Sequence, residues 1–374
     1  MPHKSKFRII ASHVCHNYAH KLRFLAGRIE SEKGATHREL SLERSLGYIE
    51  EVFADYLAYS GLSLEDLAGR RVLEIGPGDN LGVALRLLAA GCSQVVCLDK
   101  FFAQRDELKQ LAIYRALRDS LTPRERERFD QAVSLEHGFH PNPERLEYRC
   151  GISIESAGER FAAGSFDLIV SRAVLMELPD SDAGFAAMDR LLGPGGWMIH
   201  KVAPLQDYKM FQAYGYSPLE FLTIPGWLYR PMVSDCGGPN RRPVTYYRRK
   251  MAELAYLSTI HIVNLIGARL KLPPGTTNPP PELPEYRNAL RFITEIRPRL
   301  RPEFQALDAQ DLAVEDVFLV ARKPGGPEMS ARQLPQTDHS MRAQPVLPEA
   351  ARRGGSVKDG GREGSPRQSV LPGR

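Results

Sequence analysis

Between Arg70 and Lys100 the chain reads RRVLEIGPGDNLGVALRLLAAGCSQVVCLDK, and few folds accommodate that order of residues. Arg71 opens a short apolar run to Ile75, and Gly76-Pro77-Gly78-Asp79-Asn80 is a turn that side chains would obstruct. Leu81 to Ala90 then carries apolar residues at helical spacing, and Gly91 closes that helix as a C-terminal glycine does. A second apolar run, Gln94 to Leu98, ends on Asp99. Strand, tight turn, helix and strand make a βαβ unit of a doubly wound sheet, in which ligands sit outside the carboxyl ends of the strands.

The acids of this unit separate the cofactor classes. A dinucleotide fold needs a pyrophosphate cradle at the helix start and an acid about 20 residues on for a ribose hydroxyl. Asp99 serves either class, but Glu74 puts a carboxylate under the glycine turn, where it repels a pyrophosphate and suits a cation. The stretch resembles motif I of the class I S-adenosylmethionine-dependent methyltransferases, an acid, any residue, then Gly-x-Gly-x-Gly. Glu74, Gly76 and Gly78 match that pattern, and Asn80 stands at the third glycine, a residue that tolerates left-handed backbone better than most. The resemblance implies that Glu74, Gly76, Pro77, Gly78 and Asn80 shape the methionine and ribose end of a cofactor site. It also implies that Asp99 accepts the ribose hydroxyls and that Lys100 packs on the adenosine.

Downstream segments extend the resemblance over residues 71 to 203. Leu146 to Ile154 is a strand candidate followed by Glu155, which the family comparison sets near the adenine amino group. Ser165-Phe166-Asp167-Leu168-Ile169-Val170-Ser171 is a turn and buried strand similar to the family's fourth motif, with Ser171 at the cofactor and Met176-Glu177 where Glu-His is common. Phe185 to Leu192 reads as a helix stopped by Gly193-Pro194-Gly195-Gly196, followed by the strand Trp197 to Val202. Thr245 to Tyr256 reads as a further crossover helix, Leu257 to Ile266 as a sixth strand and Val314 to Ala321 as the last. The expected fold is therefore α/β, a Rossmann-like, doubly wound sheet of seven strands, mostly parallel with the last strand antiparallel.

Around that sheet, residues 1–68 are expected to form a helical extension and 69–323 the methyltransferase domain. Within the domain, 101–140 reads as an inserted helical pair and about 204–243 as a lid. Residues 324–374, rich in Gly, Pro, Ser, Gln and Arg, bury too little apolar surface to fold and are expected to be disordered. Asn278-Pro279-Pro280-Pro281 lies far from the fourth strand and lacks an aromatic, so it reads as an extended linker and not as an amino-methylation motif.

A net charge of +5 permits an anionic substrate or surface without demanding nucleic acid, which is the unlikely partner. The five scattered cysteines, with no CxxC pair, fit a reducing compartment, and no long apolar run marks a membrane span or secretory leader. A cytoplasmic protein is expected. Residues 1–29 hold Lys4, Lys6, Arg8, Lys21, Arg23 and Arg28 and no acid, interleaved with apolar residues. That composition fits either a helix packed on the domain or a basic amphipathic helix on anionic lipid. His13, Cys15, His16 and His20 lack a second ligand pair at zinc spacing, so no metal is expected.

Methylation of a hydroxyl requires a base for its proton, and His200, Glu177 and Asp207 are the candidates. The lid is aromatic and basic, so Trp227 or Tyr229 would stack a sugar ring while Arg241 and Arg242 hold a phosphate. The core is similar to bacterial methyltransferases of sugar and cell-surface polysaccharide pathways, which implies a sugar, glycan or lipid-linked acceptor. The alternatives are methylation of RNA or protein, a nucleotide-dependent oxidoreductase, and a cofactor-binding scaffold without turnover.

Overall fold

The computed structural model describes residues 5–31, 34, 36–207 and 210–325. Lys4, Tyr208 and the expected tail from residue 326 onward lie outside them. Seven strands form the central sheet: β1 (Arg71–Ile75), β2 (Gln94–Asp99), β3 (Leu146–Cys150), β4 (Phe166–Arg172), β5 (Leu192–Val202), β6 (Leu257–Leu265) and β7 (Val314–Arg322). Their order is β3-β2-β1-β4-β5-β7-β6. Strands β1 to β5 pair in parallel, and β7 runs antiparallel to both neighbours. The last strand thus lies inside the sheet, where Val317 to Ala321 are buried on both faces. Succession leaves β1 toward β2 and β3 on one side and resumes with β4 on the other, so a crevice opens at this switch point.

Strand residues alternate between two cores, as the two-residue period of a pleated sheet requires. Val72, Val95, Leu168 and Val170 face one, and Leu73, Val96, Ile169 and Met198 face the other. The principal helices are α1 (Lys6–Leu25), α2 (Leu42–Ser60), α3 (Gly82–Ala90), α4 (Glu107–Ser120), α5 (Pro123–Ala132), α6 (Ser181–Leu191), α7 (Gly226–Val233), α8 (Val244–Glu253) and α9 (Pro284–Ile296). Local chemistry sets several of their ends. The Ser41 hydroxyl accepts from the Arg44 N–H at the start of α2, and Gly61, at φ 70°, closes it. Thr122 and Glu125 form a reciprocal cap before Pro123 opens α5.

Three elements depart from the sequence expectation: β5 begins at Leu192 and takes in Gly193-Pro194-Gly195-Gly196, before the expected start at Trp197. Strand β3 stops at Cys150, and a single helical turn, Ile154–Ala157, takes over where the strand was expected to continue. Helix α9, which follows the proline-rich stretch, was not anticipated. Tyr286, Ala289, Ile293 and Ile296 recur at helical spacing along its buried face.

Candidate active site

A cavity of about 410 Å³ lies at the carboxyl ends of β1, β2 and β4, within the size range of small-molecule sites. Its floor is the glycine loop. Gly76 and Gly78 both sit at φ 71°, in the left-handed region. A Cβ on Gly76 would come within 2.5 Å of Val174 Cγ2, and one on Gly78 within 2.6 Å of the Gly34 carbonyl oxygen. Both positions therefore need glycine for backbone conformation and for space. Asn80 does not use the left-handed backbone expected of it. Instead its Oδ1 accepts from the Gly82 N–H at 2.6 Å and its Nδ2 donates to Gln110 at 2.6 Å, joining the start of α3 to the inserted pair.

Asp79 holds the N-terminal segment over this loop. Its carboxylate accepts from the backbone N–H groups of His37 and Arg38 at 3.1 and 2.8 Å, and its own N–H donates to Gly34. Thr36 and His37 consequently line the cavity, with Tyr48 and Tyr56 from α2. The helix from Ser41 is expected from its sequence to cover one side of the cleft, and Tyr48, Val52 and Tyr56 do line it, whereas Thr36 and His37 were missed, the only signal for them being the acid inside the turn.

The two motif acids both face the cavity. Burial pushes the Glu74 carboxyl up to about 7, opposed by the Cys97 thiol that donates to it at 3.4 Å. Burial likewise raises Asp99 to about 6, against backbone N–H donors including that of Phe101 at 3.3 Å. Carboxylates stripped of water in this way gain most from a ligand carrying positive charge or hydroxyl donors. Pro77, Lys100 and Glu155 also line the cavity. Lys100 Nζ sits over the rings of Phe24 and Phe101, at 5.7 and 5.2 Å.

Ser171 and His200 do not reach the cavity. The Ser171 hydroxyl and His200 Nδ1 lie 2.8 Å apart between β4 and β5, and burial drives the imidazole down to about 3. His200 has no exposed surface, so the expectation that it points into the cleft is corrected: it faces the core beneath. The other two candidate bases do line the cavity. Glu177 ends a short turn after β4. Asp207, on the loop after β5, accepts from the Met210 and Phe211 N–H groups at 2.9 and 3.0 Å, and burial still raises it to about 7.

The expected sugar-phosphate lid is also corrected. The Arg241 guanidinium is buried 3.2 Å above the Tyr229 ring centre and donates to the carbonyls of Ile224 and Phe221. Tyr229 is itself buried, its hydroxyl donating to Pro239 O at 2.8 Å. Arg242 lies over Tyr246 and pairs with Asp182, while Trp227 points to solvent at 77% exposure. None of the four lines the cavity. That wall is formed by Val174, Met176, Leu178, Met210, Cys236 and Pro239. Asn240 fastens it, donating to the carbonyls of Leu175 and Leu178 at 2.7 and 3.2 Å.

At the end of β4, Ala173 holds φ 58°, rare for a residue with a side chain, and lines the cavity beside Arg172. Arg172 is braced by Asp55 at 3.0 Å and Glu51 at 3.1 Å. Among the described residues no group of three or more His, Cys, Asp or Glu is arranged to hold a metal ion.

Sheet order, glycine loop and buried acids define a Rossmann-like fold with a site for a cationic, hydroxyl-bearing ligand. The family profile described as Methyltransferase domain matches residues 11–240, and the chain belongs to that family. It is an S-adenosylmethionine-dependent methyltransferase. No curated protein matches it by sequence. Solved structures similar to it include phosphoethanolamine N-methyltransferase 2 of Haemonchus contortus in complex with S-adenosyl-L-methionine, at 16% identity and TM-score 0.37, covering 73% of this chain and 52% of that one. Others are an S-adenosylmethionine-dependent methyltransferase of Mesorhizobium loti (14%, TM-score 0.35, 76% and 100% covered) and geranyl diphosphate C-methyltransferase of Streptomyces coelicolor A3(2) (14%, TM-score 0.36, 74% and 77% covered).

The residues present fit the cofactor. Two glycines leave no room for side chains beside the loop, and desolvated Glu74 and Asp99 supply the acceptors that a cationic nucleoside needs.

Proposed function

We propose that the protein methylates a hydroxyl of an uncharged small molecule or glycan, lipid-linked acceptors included. Bound S-adenosylmethionine supplies a methyl on a sulfonium, which is a good leaving group. Glu74 and the Gly76–Gly78 loop hold the methionine and ribose end, Asp99 accepts the ribose hydroxyls, and Glu155 and Lys100 flank the adenosine. Asp207 takes the proton from the acceptor hydroxyl, with Glu177 orienting that hydroxyl. The apolar wall of Val174, Met176, Leu178 and Met210 excludes water and aligns the acceptor, which is most of what methyl transfer asks of a protein.

The observation that carries this reading is the Asp207 carboxyl, lining the cavity and raised by burial to about 7, near the value that suits a general base. Arg241 and Arg242 do not line the cavity, and Arg172, which does, is already paired with Asp55 and Glu51, which supports an uncharged acceptor over a phosphorylated one. A tritiated-methyl transfer assay against fractionated cell extract tests it. Label is expected in hydroxyl-bearing glycan, lipid or small-molecule fractions, and label confined to RNA or protein overturns it.

A further inference from the structure

Helix α1 has two unlike faces. The inner one forms part of the site's surroundings. Asn17, buried at 1% exposure, accepts from the backbone N–H groups of Asp235 and Cys236 at 2.8 and 2.9 Å, and Cys236 lines the cavity. His20 and Phe24 set their rings edge-on against Phe101, which lines the cavity from the other side.

The outer face is apolar and uncovered. Phe7, Tyr18, Leu22 and Leu25 are 79%, 54%, 67% and 73% exposed. At about 100° per residue these four, with Ala11, fall within a stripe roughly 60° wide, opposite the side that buries Ile9, Asn17 and His20. A fold that needed these side chains for its own core would have buried them, and solvent-exposed apolar stripes of this kind mark contact surfaces. Arg8 lies about 40° to one side of the stripe with Arg23 about 60° further round, and Lys21 lies about 40° to the other side with its ammonium 3.9 Å from the Asp235 carboxylate; Lys6–Leu25 contains no acid.

We propose that α1 docks the protein on an anionic lipid surface, stripe inward, with the flanking cations reaching up to the headgroups. A large apolar stripe edged with Arg and Lys on a helix too polar to span is the arrangement that lies in a bilayer interface. No helix among the described residues is long and apolar enough to cross a membrane. Because the inner face of α1 holds the 235–236 segment and Phe101, docking sets the cavity close beneath the membrane surface, where a lipid-borne acceptor is concentrated.

The test is co-sedimentation of the full chain with vesicles of phosphatidylglycerol and phosphatidylcholine, against vesicles of phosphatidylcholine alone. Binding is expected to the anionic vesicles and to fall as salt is raised. The paired substitution Leu22→Glu, Leu25→Glu is expected to weaken it about tenfold or more, and Arg8→Glu, Arg23→Glu comparably. Both variants are expected to keep wild-type affinity for S-adenosylhomocysteine, which shows that they fold. Wild-type protein that stays in the supernatant, or Leu22→Glu, Leu25→Glu protein that binds as well as wild type, overturns the proposal. So does a solution dimer that the same pair splits, since the stripe would then be an interface between copies.

Discussion

Ser171 and His200 sit side by side in register on β4 and β5, hydroxyl oxygen to Nδ1 at 2.8 Å, with the imidazole wholly enclosed. A fully buried histidine held neutral by its surroundings is a structural group. Replacing His200 with Ala is expected to lower stability by about 2–4 kcal/mol through the void and the unpartnered Ser171 hydroxyl. S-adenosylhomocysteine affinity is expected to stay within about twofold, within the roughly 0.5 kcal/mol usual for sites that share no partner. Thermal unfolding and calorimetry on the same variant check this, and loss of ligand affinity with stability intact would return His200 to the site.

The glycine loop offers a contrast between its two positions. Gly76→Ala meets the side chain of Val174, whereas Gly78→Ala meets the backbone of Gly34, and both incur the left-handed penalty of about 1–2 kcal/mol. Adding Val174→Ala is therefore expected to recover part of the cofactor affinity lost in Gly76→Ala and none of that lost in Gly78→Ala. Equal recovery in both double variants would contradict the packing described here.

Asp207 is expected to set both the rate and its pH dependence. As a base it must be ionised, so turnover is expected to climb as pH rises through about 7. Asp207→Asn should cost about 10²–10⁴ in turnover and remove that limb, with S-adenosylhomocysteine affinity retained. An unaltered pH profile in the variant would exclude this role.

Much of the sheet was legible because its evidence is local. Apolar runs, the Gly-Pro-Gly turn, Gly91 and the Leu192–Gly196 stop each declare themselves within a few residues. The expected lid segment does reach the cavity through Met210, Cys236 and Pro239, but the roles of its basic and aromatic side chains were not legible, for the opposite reason. Whether Arg241 faces a ligand or a tyrosine ring depends on where α7 packs, and its guanidinium lies over Tyr229 and not over a phosphate site. The same holds for His200, whose place near a strand end suggested the cleft while sheet register turned it into the core. The Asp79 contacts to His37 and Arg38 bridge some forty residues, a distance over which periodicity carries no information.

Stability should carry the mark of the buried acids. Glu74 rises from 4.5 to about 7 and Asp207 from 3.8 to about 7 on folding. A raised folded value means that the native state holds these protons more tightly than the unfolded chain. Stability without ligand is therefore expected to fall as pH rises from the ordinary carboxylate range toward about 7 and to level off above it. Glu74→Gln should remove part of that slope, stabilising the ligand-free protein at about pH 8 by on the order of 2 kcal/mol while weakening cofactor binding. Unfolding midpoints measured from about pH 5 to about pH 8 decide it; an identical slope in the variant would show that Glu74 ionises freely in the native state.

Glu74, the glycine loop and Asp99 are expected to bind S-adenosylmethionine together, which titration calorimetry measures. Wild-type protein is expected to bind S-adenosylhomocysteine in the micromolar range or tighter and to give no heat with NAD. Asp99→Ala, which removes the acceptor for the ribose hydroxyls, should weaken S-adenosylhomocysteine by about 2 kcal/mol or more, roughly thirtyfold. Binding of NAD in place of S-adenosylhomocysteine would show that the cavity holds a different cofactor, and an Asp99→Ala variant that binds as tightly as wild type would show that Asp99 does not hold the ribose.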